Sequence, residues 1–67
     1  MSAAPAEALE AARTEEAQRL LTLLLEQRFG FLSPQVYRRL EAPREQLEAW
    51  ILRLAAATTV QDVLGDL

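Results

Sequence analysis

The sequence predicts an all-α domain, a small bundle of three helices plus a short C-terminal helical turn, completed by oligomerisation. Three observations predict it. Apolar residues recur at helical spacing throughout, with no stretch of two-residue alternation. The helical runs are punctuated by Gly30, Ser33-Pro34, Pro43 and Gly65, each of a residue type that starts or stops a helix. Finally, the chain has only 67 residues and no cysteine, yet carries more apolar helix surface than one small core uses.

Residues 1–13 are rich in Ala and Glu, with Pro5 and only Leu9 as an apolar anchor. This segment reads as a flexible lead to a helical domain over 14–67, the alternative being an N-terminal extension of the first helix. Thr14 is the candidate N-cap of that helix. Glu15 and Glu16 suit its positive end, and Arg28 suits its last turn. The helix is expected to run to Phe29, with Gly30 as the positive-φ residue that closes it. At 100° per residue, Ala17, Leu20, Leu21, Leu24 and Leu25 cover about 140°, and Phe29 widens the arc to about 180°. Leu20, Leu21 and Leu24 are expected to face inward. Leu23 falls outside the arc.

Ser33 followed by Pro34 is the sharpest local signal, an N-cap and a first helical residue whose missing N–H costs nothing. The second helix is read over 34–41. Val36, Tyr37 and Leu40 lie on one face, and Leu32 is placed to staple onto Tyr37. Pro43 ends this helix and opens the third, over 43–56, as its first residue. There Leu47, Trp50, Ile51 and Leu54 form a core stripe of about 100°, while Leu52 points away. Arg44 and Glu48 are i,i+4 partners. Thr59 caps a last turn, with Asp62 in the capping-box position and Gly65 at its end.

Composition excludes several chemistries. With no Cys and no His, there is no disulfide, no Cys/His zinc site, no nucleophile served by a His base and no haem ligated through either residue. Gly30 and Gly65 stand alone, so no glycine-rich loop cradles a phosphate. The carboxylates Glu15 and Glu16, or Glu45 and Glu48, sit on polar faces without the cleft that acid–base work needs. No catalytic, cofactor or metal site is expected, and no small-molecule substrate. A net charge of −3 disfavours anionic membranes and nucleic acid. The N-terminus lacks the features of a signal peptide, and the Leu-rich run over 20–25 is far too short to span a bilayer, so the expected compartment is the cytoplasm.

The order of these signals carries a resemblance. The segment over 17–30, a Leu-rich helix closed by Arg28-Phe29-Gly30, is followed by Leu32-Ser33-Pro34, then Gln46-Leu47-Glu48-Ala49-Trp50 and finally the segment over 58–64. Over about residues 15–64 this resembles the short domain of unknown function at the C-terminus of bacterial Rpn-type putative transposases, whose upstream domain looks like a PD-(D/E)XK nuclease. The resemblance implies no catalytic residues, because that domain has no assigned chemistry. This sequence carries no nuclease domain, and is expected to be either a stand-alone relative or a piece of a longer protein.

Function is therefore expected to lie in surfaces. The first expectation is a non-catalytic oligomerisation or protein–protein interaction module. Its partner is itself, most simply as a dimer, or a larger protein, with Leu23, Leu25, Trp50 and Leu52 as interface candidates. The alternative is a nucleic-acid-binding accessory of a mobile-element nuclease, using Arg38, Arg39 and Arg44 in a helix-turn-helix arrangement. Glu45 and Glu48 at the base-reading end oppose it.

Overall fold

The computed structural model describes residues 5–65. They form four helices, α1 (Ala6–Phe29), α2 (Pro34–Arg39), α3 (Arg44–Leu54) and α4 (Val60–Leu64), and no strand. The all-α class is as the sequence predicts, α4 being the expected terminal turn.

The start of α1 is a correction. The helix begins at Ala6 with Pro5 as its N-cap, so residues 6–13 are helical and not a flexible lead. The part of that lead over 1–4 lies outside the described residues. Thr14 caps nothing. Its hydroxyl donates to the Glu10 carbonyl at 2.9 Å, the back-bond of a Thr inside a helix. The physical reason is propagation. Once the packed C-terminal half of α1 supplies a nucleus, each added Ala or Glu extends it at little cost.

At the other end the local signals hold. Gly30 has φ 81° and ψ −142°, a region that is essentially glycine-only and stricter than the left-handed helical region, which Asn also visits. The Ser33 hydroxyl accepts from the Val36 N–H, and Pro34 opens α2. That helix stops at Arg39, two residues before the expected Glu41, and Leu40 to Pro43 form the turn into α3. Pro43 is the N-cap of α3 and not its first residue. Thr59 and Asp62 close a reciprocal capping box on α4.

The core gathers side chains from every element: Leu21 and Leu25 of α1, Leu32, Val36 and Leu40 around α2, Leu47, Trp50 and Leu54 of α3, then Ala57, Val63 and Leu64. Two long-range contacts fix how α3 lies on α1. Arg44, at the start of α3, pairs with Glu10 at 3.1 Å. Arg28, near the end of α1, donates to the carbonyls of Leu54 and Ala57 at the end of α3. The two helices therefore run in the same sense. Glu10 and Arg28 are about five turns apart and point the same way, so α3 lies along the line they define.

The molecule is elongated, with principal extents of 47 × 22 × 20 Å. Its radius of gyration of 13.3 Å exceeds the roughly 11 Å of a compact domain of this length. The 24 residues of α1 span about 36 Å. Residues 6–13 of α1 are all exposed, so this end of the helix has one side on α3 through Glu10 and the rest in solvent.

Candidate interaction surface

The rotation of α1 decides which leucines are free. With α3 along the Glu10–Arg28 line, Leu21 and Leu25 are fully buried, and Ala17, Leu24 and Phe29 pack against the core's edge. Leu20, expected to face inward, is 44% exposed, and Leu9 and Leu23 are exposed to a similar degree. On a helical projection Leu9, Leu20 and Leu23 fall within about 60° of one another, on the side of α1 turned away from the core.

The four interface candidates divide evenly. Leu23 is on this open face, and Leu52 is 79% exposed on the outer side of α3. Leu25 is a correction, and so is the interface reading of Trp50, whose place in the expected core stripe of α3 holds. Leu25 is wholly buried and Trp50 is 4% exposed, so both belong to the subunit's own core. Leu25 lies on the flank that α3 and its neighbours cover, and Trp50 is in the stripe that α3 turns toward α1. Helical periodicity does not single out Phe31, which is 96% exposed. A signal for it exists: Phe31 and Leu32 are consecutive in a non-helical segment, and when Leu32 turns in, its neighbour turns out.

The charged side chains mostly serve the fold. Arg28 reaches the Leu54 carbonyl at 2.8 Å and the Ala57 carbonyl at 2.5 Å, and its guanidinium lies 5.7 Å from the centre of the Phe29 ring. It therefore ties α1 to the last carbonyl of α3 and to the Ala57 carbonyl three residues beyond it, where the sequence suggested the carbonyls of its own helix. Arg39 does likewise for Leu64 at 3.2 Å. Arg44 pairs with Glu10 and not with the expected Glu48, and its Nε is buried without a hydrogen-bond partner. Two of the three arginines that a DNA-reading arrangement would use are thus engaged within the chain.

Three hydrogen-bonded groupings carry shifted ionisations. The Arg19 guanidinium hydrogen-bonds Glu16 and, with its charge, holds that carboxyl below its ordinary range. Both groups stand in solvent, where such pairs contribute little. The Tyr37 hydroxyl donates to Glu26. That hydrogen bond, followed by partial desolvation and the carboxylate's charge, pushes the phenol up. Asp62 accepts from the Thr58 N–H, the Thr58 hydroxyl and the Thr59 N–H, which lower its pKa.

Among the described residues there is no group of three acids placed to hold a metal ion, and no helix long and apolar enough to cross a membrane. No family model matches the chain, and no curated protein or solved structure matches it either.

Proposed function

We propose that this chain is a non-catalytic helical module that holds protein chains together, in the first instance two copies of itself. The observation that carries the reading is the open face of α1. Leu9, Leu20 and Leu23 share one side of α1, and from Ala17 to Phe29 the opposite side is already committed to the core. Apolar side chains scattered singly are ordinary on a surface, but a row of leucines along one long helix is the form in which helices recognise one another. The small core gives association a second purpose, because a single core of this size supplies only about 3–5 kcal/mol. The resemblance to the C-terminal domain of Rpn-type proteins, read from the sequence alone, would in this proposal make the chain an accessory part that joins chains.

The test separates association from folding. Leu20→Glu and Leu23→Glu place a charge on the open face and should lower the mass seen by light scattering while helical circular dichroism is retained. Leu25→Glu places the charge in the core and should abolish folding itself. Undiminished mass for both surface variants would remove α1 from the contact.

A further inference from the structure

The open face of α1 is more specific than a row of leucines. Within an arc of about 80° it carries, in order, Leu9, Arg13, Glu16, Leu20 and Leu23. The steps between them alternate four and three residues, the spacing of a two-helix seam. Arg13 and Glu16 stand at its middle with opposite charges and leucines on both sides. Among the described residues Arg13 makes no ion pair, whereas Glu16 pairs only with exposed Arg19.

From this pattern we infer that the partner of α1 is α1 of a second copy, antiparallel, in the register that sets Leu9 opposite the partner's Leu20 and Arg13 opposite the partner's Glu16. The inference rests on the association proposed above and names its geometry. One two-fold axis, passing between residues 14 and 15, generates every pairing. Leu9 meets Leu20 twice, Arg13 meets Glu16 twice, and Leu23 closes over Ala6 at each end. Each pairing joins the two alternate seam positions, as antiparallel helix pairs require. A parallel, in-register pair would set Arg13 against Arg13 and Glu16 against Glu16, which like-charge repulsion opposes. The antiparallel register turns the same residues into attractive pairs and gives Arg13 its missing partner.

Space permits it. The seam lies about 100° around α1 from the line toward α3. With each neighbour's axis about 9 Å from that of α1, α3 and the partner helix stand about 14 Å apart and do not collide. The paired segment spans about 26 Å, and the two-fold closes the assembly so that no further copy is recruited.

Thiol cross-linking tests the register, since the chain has no cysteine of its own. A mixture of Leu9→Cys and Leu20→Cys chains, treated with a short bifunctional thiol reagent, should give a covalent heterodimer, while neither variant alone gives more than about a tenth as much. Efficient cross-linking of Leu20→Cys to itself would mean a parallel pair or an antiparallel pair centred near residue 20. That result overturns the register and leaves association standing. A monomeric wild type overturns both. A second arm uses charge. Arg13→Glu and Glu16→Arg should each weaken self-association at least about tenfold, and mixing the two should restore a dimer of one chain of each. Variants that associate as the wild type does would overturn the Arg13–Glu16 contact.

Discussion

Arg28 is the side chain whose removal should cost the fold most for a residue outside the core. It joins the end of α1 to the end of α3 through the carbonyls of Leu54 and Ala57. Hydrogen bonds from a charged group contribute about 1.5–3 kcal/mol each. Both contacts are only partly buried, so water recovers part of what is lost, and we expect Arg28→Met to cost about 2 kcal/mol in total. Against the roughly 3–5 kcal/mol available to a core of this size, that is near half the stability. At about 4–8 °C per kcal/mol for a domain this small, the midpoint should fall by about 8–16 °C. Met keeps the aliphatic stem, so the loss reports the guanidinium. Arg28→Lys should recover less than half, because one ammonium cannot fork across two carbonyls as a guanidinium does. Thermal melts followed by circular dichroism at one fixed chain concentration measure this, the concentration being held because association adds to apparent stability. A Met variant that melts within about 2 °C of the wild type, or a Lys variant equal to it, would refute the clasp.

Three further outcomes follow from particular residues. Gly30→Ala and Gly30→Asn should each cost about 1–3 kcal/mol in urea melts, with Asn giving no rescue. A Cβ there meets nothing within 4 Å, so the cost is conformational alone. Leu25→Ala should cost about 2–5 kcal/mol, whereas Leu23→Ala should leave the folded monomer nearly unchanged. The Asp62 carboxyl titrates below its ordinary value of 3.8 when folded, so its support of α4 is whole above that pH and is lost as pH falls through the depressed value. Asp62→Asn should flatten that acid limb in amide exchange of α4, and an unchanged limb would assign it to another group.

What is legible in the sequence is chemistry local to a few residues. Ser33 and Pro34, Thr59 and Asp62, and Gly30 each specify a helix end through contacts no more than four residues apart, and the structure places each where the sequence does. The start of α1 is not legible because its N-cap, Pro5, has no side chain that hydrogen-bonds the first turn. Ala and Glu simply extend a helix nucleated elsewhere. The rotation of α1 is hidden for a different reason. Its leucines surround much of the helix, so periodicity alone does not choose the buried side. The choice is made by Glu10 with Arg44 and by Arg28 with the end of α3, contacts between residues far apart in sequence. That rotation sends Leu25 inward and Leu20 outward. Trp50 follows Leu25 into the core, which leaves Leu23 and Leu52 of the expected interface.

The mass of the wild-type chain in solution, followed by sedimentation equilibrium from low micromolar concentration upward, tests the central claim most directly. A closed dimer of twice the 7.5 kDa chain mass is expected, changing little with salt because leucines contribute most of the contact. A folded chain that remains at 7.5 kDa throughout that range would contradict it.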